Sequence, residues 1–494
     1  MPSNWSYQRL EADASNSPTV KPYNSDRQRT RRRAIIICGS ITLLLIIIFG
    51  SLLAHPKTRK RAKDIYQESF REKLTPESNL RHVIEMGPPH YNSIHEYERN
   101  LPQHNLSLPF PEGKDGRYVW FANQIKLLGW NNCFNEVLMN AHLAYASNRA
   151  YVFQDYWWAT EHYRWPKDKF LDDYPRTPLN AIIAGPTAGG LWEAEDTAPR
   201  SISEEWFKVV CPESERRIIN TREVKPLVAT APGGEVFHAW QKKLSEAPEK
   251  CIEVRGAEED SYSQTFDLIL WGNITRLTSL WDIFIKSPTS RLLETSPLVR
   301  SAVDRNEYIF LPHGPRPPTS SPNPWDRLMA IHLRRGDYER HCAGLGYMNA
   351  TWYGWNQLEF LPDKFEAGNG IEEHMRHCWP TIDDIVLKVR EARSEFLRLR
   401  ADGGTLDVMH LLTNDQTEFI DKLADALRRE GWFTIRTTKD LLLDQEQTDV
   451  SMAVDMDIAR KAAVFVGNGW SSFTSNIVHR RLKDGKDPIS TRFF

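Results

Sequence analysis

Two adjacent arginines, Arg334 and Arg335, stand directly after an apolar run in the segment Ile331–Asp337, which reads IHLRRGD. Forked guanidinium groups at the end of a strand donate several charge-assisted hydrogen bonds to a phosphate, which a lysine does less well. Gly336 permits close approach of the backbone, and Asp337 can fix one guanidinium so that the other faces the ligand. The pattern also fits a surface Arg–Asp ion pair, but the preceding apolar strand and the place at a domain entrance favour a phosphate site.

A second segment with suitable chemistry is Val464–Asn476, which reads VFVGNGWSSFTSN. An apolar strand runs into a turn with two glycines, and the pair Ser471 and Ser472 opens a helix. Ser471 can cap that helix, and the amides at a helix N-terminus bind anions. Alone, the segment also fits a plain capped helix. Two such loops at strand ends of one sheet together favour a diphosphate site.

The triplet Asp455-Met456-Asp457 raises the question of a metal ion. An Asp-x-Asp pair can hold a divalent cation on a nucleotide diphosphate. On a helix, however, positions two apart diverge by roughly 200°, so the two carboxylates would not chelate together. We therefore expect Asp455 or Asp457 to face the ligand, the other to be solvated, and no metal to be bound.

The elements that must position these segments alternate between strand and helix through the last 170 residues. The pattern predicts strands at Leu328–Leu333, Asp407–Thr413, Trp432–Thr437 and Val464–Gly467, and helices at Thr381–Arg400, Thr417–Glu430, Met452–Ala462 and Ser471–Lys483. Such alternation indicates a mostly parallel sheet with helices on both faces, and ligands bind such sheets at the carboxyl ends of the strands.

A similar unit begins the N-terminal half of the body. Arg117–Ile125 is predicted to be a strand, Phe134–Ser147 a helix and Tyr151–Asp155 a second strand. Pro315–Trp325 holds five prolines and resembles an interdomain linker. The fold class is thus predicted to be α/β, with two doubly wound, Rossmann-like domains at 116–325 and 326–494 that face each other across a cleft. A cleft of this kind suits a nucleotide-activated donor.

HLRRGD followed by VGNGWSSFTSN resembles the GDP-fucose protein O-fucosyltransferases and their α1,6-fucosyltransferase relatives. The resemblance covers the two C-terminal motifs well and the Asp455 segment moderately. It implies a GT-B fold, GDP-fucose as donor, inverting transfer, and no metal or other cofactor. It also implies that Arg334 binds the diphosphate and is needed for activity. The implied donor-binding residues are His332, Arg334, Arg335, Asp337, Asp455, Ser471 and Ser472.

The resemblance is weaker in the N-terminal domain, where the family carries a glycine-rich loop with an asparagine near the fucose. Gly129–Asn132 occupies that place without the double glycine, and it makes Asn131 and Asn132 candidate donor-binding residues. No acidic residue matches the family's acceptor base. Glu136, one turn into the next helix, is a candidate catalytic base, although an exposed glutamate at a helix start is the alternative. Asp415 is a further candidate for the cleft.

An apolar segment of 21 uncharged residues, Ala34–Ala54, divides a basic head from an acidic body. At ~1.5 Å per residue it spans the ~30 Å core of a bilayer. Because a cleaved signal peptide would need a charged region of 33 residues, we expect an uncleaved signal-anchor after a cytosolic tail at 1–33. Residues 55–115, basic and then rich in proline and asparagine, are predicted to form a stem.

The charges that flank the apolar segment and the glycosylation sequons indicate how the chain is oriented in the membrane. The basic residues flanking the span number six before it and five after it, which only slightly favours a cytosolic N-terminus. Sequons at Asn105, Asn273 and Asn349 favour a lumenal body. The sequence therefore indicates a single-pass type II protein of the Golgi or endoplasmic reticulum, held in the lipid bilayer by residues 34–54.

Five cysteines lie outside the apolar segment, so at most two disulfides form and one thiol stays free. Cys211–Cys251 and Cys342–Cys378 are the pairs that spacing suggests, and no CxxC or Cys/His zinc spacing occurs.

The expected function is fucosyl transfer from GDP-fucose to a protein or glycan hydroxyl, with no nucleic acid as partner. A GT-B transferase that uses another nucleotide sugar, or an inactive membrane-anchored scaffold, remain the alternatives.

Overall fold

The computed structural model describes residues 75–124, 128–170, 175–311, 323–400, 404–415 and 417–494. The predicted tail at 1–33, the membrane segment Ala34–Ala54 and most of the linker Pro315–Trp325 lie outside these residues. Within the described ranges, none of the helices is long and apolar enough to cross a membrane. The membrane anchor therefore stays a prediction from the sequence.

Two five-stranded sheets, each wholly parallel, organise the described chain. The strands of the described chain are β1 Tyr118–Phe121, β2 Ala150–Phe153, β3 Tyr156–Trp157, β4 Arg176–Thr177, β5 Ile183–Ala184, β6 Ile202–Ser203, β7 Arg216–Asn220, β8 Cys251–Arg255, β9 Glu294–Thr295, β10 Leu328–Leu333, β11 Val408–Thr413, β12 Thr434–Thr437, β13 Val464–Gly467 and β14 Thr491–Phe493. The N-terminal sheet has the order β6-β2-β1-β8-β7, and the C-terminal sheet has the order β12-β11-β10-β13-β14. The pairs β3-β4 and β5-β9 are short antiparallel ribbons.

Helices cover both sheets, as parallel strands with crossover connections require. Their bounds are Pro76–Met86, Asn92–Arg99, Trp130–Ala146, Leu179–Ile182, Glu204–Val210, Gly233–Glu246, Leu268–Trp271, Ile274–Ile285, Pro288–Arg291, Pro297–Asn306, Tyr338–Tyr347, Ile371–Cys378, Ile382–Leu399, Glu418–Arg429, Gln445–Asp449, Ser451–Lys461 and Ser472–Lys483. Apolar side chains fill the space on either side of the C-terminal sheet, because β10, β11 and β13 alternate their residues between two separate cores.

The predicted pair of doubly wound domains agrees with these two parallel sheets. The bounds of β10 and β13 are those predicted, and the helix predicted at Thr381–Arg400 runs from Ile382 to Leu399 with Thr381 as its cap. Predictions were least accurate where buried strands are short. The expected strand Arg117–Ile125 contains only the four residues of β1, and β14 was not predicted.

Residues 75–115 are not a free stem. They include the helices Pro76–Met86 and Asn92–Arg99, and residues from 75 onward belong to one compact unit with the rest of the described chain. Asn79 donates to the carbonyl oxygen of Leu443 (2.5 Å), and Gln445 donates to that of Gly87 (2.7 Å). The basic and proline-rich composition of 55–115 does not indicate these contacts, because the two partners of each are more than 350 positions apart in the sequence.

Two disulfides, Cys211–Cys251 and Cys342–Cys378, confirm the pairs that spacing suggested. Cys133 is the free thiol among the described residues and is fully buried. Burial raises the pKa of Cys133 well above its usual value. Cys133 is therefore a packing residue in the helix Trp130–Ala146 rather than a nucleophile.

Candidate functional site

The two predicted phosphate loops lie side by side. β10 and β13 are neighbours in the C-terminal sheet, with Ile331 opposite Val466, so the loops that follow them leave the same edge. A 2.9 Å hydrogen bond joins Nδ1 of His332 to Oγ1 of Thr474. This bond connects the end of β10 to the helix Ser472–Lys483. The structure thus brings the HLRRGD and SSFTSN segments into one site.

Arg334 and Arg335 do not act as a pair, because consecutive residues at a strand end point in opposite directions. Arg334 keeps a third of its side chain exposed, forms an ion pair with Asp337 (3.1 Å) and lies over the ring of Tyr338. Asp337 therefore holds the arginine that was expected to meet the ligand. Because Asp337 is itself largely exposed, the guanidinium can exchange this partner for a phosphate.

Arg335 is buried on the other side. Its guanidinium lies between the rings of Trp379 and Phe419, at 4.0 and 3.6 Å from their centroids, and donates to the carbonyl oxygen of Pro380 (2.9 Å). Asp415 is 3.7 Å from its Nε. Burial lowers the pKa of Arg335, while Asp415 opposes that shift. In this arrangement Arg335 and Asp415 belong to one packed cluster, and the expectation that Arg335 binds donor and that Asp415 lines the cleft stays a prediction.

The turn after Arg335 requires glycine. Gly336 has φ of +67°, and a Cβ atom there would lie 2.9 Å from Nδ2 of Asn414. Asn414 accepts from the amide of Arg335 (2.8 Å) and donates to its carbonyl oxygen (2.9 Å), so it holds the loop to the end of β11. The loop backbone is consequently fixed, and Arg334 extends from a rigid base.

The second loop ends in a capped helix. Oγ of Ser471 accepts from the amide of Phe473 (3.2 Å), as predicted for a cap, and Ser472 is partly exposed in the first turn. Asn468 shapes the turn by accepting from the amide of Trp470 (2.9 Å) and donating to the carbonyl oxygen of Cys378 (2.7 Å). First-turn amides have no acceptor within the helix, so they and the helix dipole present partial positive charge at this edge.

His332 connects the two phosphate loops. It is buried beneath Arg334, its ring packs on Phe473 at 4.8 Å, and its Nδ1 is bonded to Thr474. Burial, and secondarily the charge of Arg334, lower the pKa of His332 to about 3. A neutral ring cannot neutralise a phosphate, so His332 could contact the donor only by an uncharged hydrogen bond, and its donor-binding role stays a prediction.

Asp455 and Asp457 face different partners, so they do not form a chelating pair. Asp455 accepts from Nε2 of His410 (2.9 Å) and from Oγ1 of Thr438 (2.6 Å), and only 7% of the residue is exposed. Asp457 is fully buried and is bonded to Nε of Arg460 (2.8 Å). The expectation that one of the two is solvated is wrong, and Asp455 reaches a ligand only through its bonded partners.

The weakly matched loop of the N-terminal domain meets the C-terminal motif. Asn476 donates through Nδ2 to the carbonyl oxygen of Asn131 (3.0 Å) and also lies 3.3 Å from its side-chain oxygen. Asn131 and Asn132 are partly exposed in the first turn of the helix Trp130–Ala146. Two helix N-termini, one from each sheet, therefore point into the same region.

Glu136 is enclosed and cannot serve as an acceptor base. Its carboxylate accepts from the amides of Thr265 (2.5 Å) and Phe266 (3.0 Å) and from Nδ2 of Asn140 (3.2 Å), and 1% of the residue is exposed. Burial raises the pKa of Glu136 to about 7, although these hydrogen bonds oppose the shift. A general base must reach the hydroxyl it deprotonates, and this carboxylate instead anchors the loop after β8.

One group among the described residues has the composition of a metal site. His95, Glu98 and Asp155 place one potential ligand atom each within 4.8 Å of one another, and Nδ1 of His95 is 3.3 Å from Oε2 of Glu98. Burial, followed by the charge of Glu98, raises the pKa of Asp155 to about 6. Two carboxylates and an imidazole could hold a divalent cation, but the group is separate from the two phosphate loops in sequence and in contacts.

Sequence reasoning did not identify several residues of the site. Tyr338 donates from its hydroxyl to the carbonyl oxygen of Trp470 (3.4 Å) and packs against His341, and Asn476 makes the contact between the domains. The motif VGNGWSSFTSN includes Asn476, but its sequence does not indicate that Asn476 bonds to Asn131.

Comparisons with known proteins find similar structures at low sequence identity. No protein-family model and no curated protein sequence matches the chain. Similar solved structures include POFUT1 in complex with GDP-fucose, with 14% identity, 76% of this chain and 98% of that chain covered, and a TM-score of 0.46. NodZ alpha-1,6-fucosyltransferase soaked with GDP-fucose has 12% identity, coverages of 73% and 91%, and a TM-score of 0.34.

A third similar structure is a mutant of Arabidopsis thaliana FUT1 in complex with GDP, with 12% identity, coverages of 82% and 77%, and a TM-score of 0.33. At these values no argument about activity rests on the likeness. What this chain does must be inferred from its own residues.

Proposed function

We propose that the chain is a glycosyltransferase that moves fucose from GDP-fucose to a hydroxyl of a protein or glycan acceptor, with inversion and without a metal ion. The observation that carries the proposal is the position of Arg334. It is the exposed member of the arginine pair, and it extends from the same sheet edge at which the helix Ser472–Lys483 begins. A forked cation beside free helix amides is a suitable site for a diphosphate.

In the proposed reaction the acceptor oxygen bonds to the anomeric carbon, the bond from that carbon to the diphosphate breaks, and GDP leaves with the electron pair. Arg334 and the first-turn amides neutralise charge on the departing diphosphate. Such preorganised electrostatic stabilisation commonly contributes more to catalysis than any other single effect. The proton of the acceptor hydroxyl goes to a base that we do not assign, since Glu136 is enclosed.

Phosphate loops of this kind recognise the diphosphate and do not distinguish the base or the sugar. The HLRRGD and VGNGWSSFTSN resemblance is the reason to name GDP-fucose. We further propose that residues 34–54 anchor the chain as a type II protein with its body in the lumen of the Golgi or endoplasmic reticulum. The sequons at Asn105, Asn273 and Asn349 support that side, and all three asparagines are exposed.

Thermal unfolding in the presence of GDP, UDP and GDP-fucose tests the donor. A ligand at 100 times its Kd stabilises the folded state by about 2.7 kcal/mol, so GDP and GDP-fucose should raise Tm and UDP should not. Arg334→Gln should remove the shift, and Arg376→Gln, which changes another exposed and ion-paired arginine, should keep it. A larger shift with UDP would favour a different nucleotide sugar.

An inactive scaffold is the second candidate, because no acceptor base is assigned. A screen of acceptors with labelled GDP-fucose separates the two. Binding of GDP-fucose with no transfer to any acceptor and no GDP release would favour the scaffold.

A further inference from the structure

A polar cavity of about 200 Å³ lies away from the two phosphate loops. Its walls come from β9, from the helix Pro297–Asn306, from the helix Ser451–Lys461 and from the C-terminal part of the helix Ser472–Lys483. The first two belong to the N-terminal half of the body and the last two to the C-terminal half. A ligand in this cavity would therefore contact both halves.

The lining of the cavity has more basic than acidic groups. Its ionisable residues are Arg300, Arg460, Lys461, Arg480 and Lys483 on the basic side, and Glu294, Asp304 and Asp457 on the acidic side. Two of the three acids lie at the rim of the cavity, because Glu294 and Asp304 keep 61% and 59% of their side chains exposed. Asp457 is thus the enclosed acid of the cavity lining, and Arg460 already takes one of its oxygens.

Arg480 is buried in the wall of the cavity, and it forms no direct ion pair with the described residues there. Only 3% of the residue is exposed. Its guanidinium donates to Oγ1 of Thr295 (2.7 Å) and lies 4.0 Å from the sulfur of Met456. A guanidinium carries five N–H donors, and these contacts give that of Arg480 one oxygen and one sulfur acceptor, with the charge of Asp457 nearby. Burial lowers the pKa of Arg480 to about 10, which still leaves it charged at neutral pH.

Two neighbouring cations have partners that do not neutralise them fully. Nζ of Lys483 donates to the carbonyl oxygen of Leu293 (2.7 Å), which carries no net charge, and lies 3.4 Å from Asp484. Lys461 lies 3.4 Å from Asp304, whose carboxylate is largely exposed, and 3.8 Å from Asp457, so neither acid pairs with it closely. Burying cations without sufficient counter-charge is costly, and a bound anion relieves that cost.

We infer that this cavity is a binding site for a small phosphate-class dianion, held between the two halves by Arg480, Lys483 and Arg300. The volume of about 200 Å³ corresponds to about seven waters at ~30 Å³ each, which is sufficient for a tetrahedral oxyanion with part of its hydration. Arg300 reaches the site from the rim, where it is paired with Glu294 at 3.1 Å.

The site is distinct from the proposed donor site. Arg480 and Ser471 lie on the same helix but roughly 13 Å apart at 1.5 Å per residue. The inference therefore stands or falls independently of the proposed transferase activity.

Calorimetric titration of the full chain with inorganic phosphate tests the inference, with GDP present at saturation so that the strand-end loops are filled. Phosphate should still bind. The double variant Arg300→Gln/Lys483→Gln, which changes the two more accessible cations, should weaken binding at least about tenfold, since each removed charge-assisted bond contributes substantially to affinity. Arg480→Gln should abolish binding.

The matched control is Lys422→Gln/Arg428→Gln, which removes one lysine and one arginine from an exposed helix elsewhere. It should leave phosphate binding unchanged. If Arg480→Gln fails to fold, the double variant still decides. Equal phosphate binding by wild type and the Arg300→Gln/Lys483→Gln variant would overturn the inference.

A parallel titration with glycerol 3-phosphate identifies the source of the anion. Tighter binding of inorganic phosphate assigns the cavity to the free ion, and tighter binding of the ester assigns it to a phosphorylated metabolite. Either result supports the site, whereas no binding of both would contradict it.

Discussion

Arg334 and Arg335 are adjacent in sequence but have different tasks. Arg334 is partly exposed at the sheet edge and is held by an exposed aspartate, whereas Arg335 is buried between two aromatic rings. The sequence was sufficient to find the pair. The alternation of side chains along a strand also predicts that only one of them can face a ligand, but which one depends on where Trp379 and Phe419 pack, and the spacing of the motif carries no such information.

We expect the free energy of unfolding to fall by different amounts when each of the two arginines is replaced by alanine. Arg335→Ala removes a buried hydrogen bond and two cation–π contacts, and should lower the free energy of unfolding by about 2–4 kcal/mol. Arg334→Ala should change it by less than about 1 kcal/mol, because its ion pair is exposed. Urea unfolding of both variants measures the difference. Equal destabilisation would contradict the assignment of Arg335 to the packed cluster.

Glu136 should make stability depend on pH. Its pKa in the folded state, about 7, lies above that of an ordinary glutamate. The folded protein therefore holds the proton more tightly, so this contribution to stability is complete below pH ~4.5 and is lost as pH rises through about 7. Urea unfolding at pH 5 and pH 8 should show a smaller loss for Glu136→Gln than for wild type. Parallel losses would show that Glu136 does not titrate in this range.

At the scale of elements, the site is an arrangement of strand ends and helix starts. β10 and β13 bring two loops together, His332 and Thr474 join them, and Asn476 joins them to the helix Trp130–Ala146. Long apolar strands and well-capped helices were predicted closely, because their periodicity is local. The short strands, and the contacts of residues 75–115, were missed because tertiary packing decides them.

The Asn476–Asn131 contact should matter for transfer more than for donor binding. Asn476→Ala removes the bond between the two helix starts, and turnover should fall about tenfold while GDP affinity changes less than about twofold, since each 1.4 kcal/mol of lost positioning is a factor of ten. Steady-state kinetics and GDP titration measure both. Asn79→Ala is the control, because it removes a contact far along the chain and should spare turnover. A weaker GDP affinity with unchanged turnover would contradict the positioning role.

For the whole molecule, we expect residues 34–54 to anchor the chain in a membrane, and we expect the compact body to fold and bind GDP without that anchor. Full-length protein should stay in the membrane fraction after alkaline carbonate extraction. A chain that begins at residue 75 should be soluble and should bind GDP as the full chain does, because residues from 75 onward form one compact unit. Recovery of the full-length protein in the soluble fraction would contradict the anchor at 34–54.

The neighbouring strand ends, the paired loops and the exposed arginine support our central proposal, which is that Arg334 stabilises the departing diphosphate of a nucleotide sugar. The most direct measurement is the rate of GDP release from GDP-fucose, for wild type and Arg334→Ala, with Arg376→Ala as the exposed-arginine control. We predict a loss on the order of 10²–10⁴ in rate for Arg334→Ala and none for the control. An Arg334→Ala protein that releases GDP at the wild-type rate would contradict the claim.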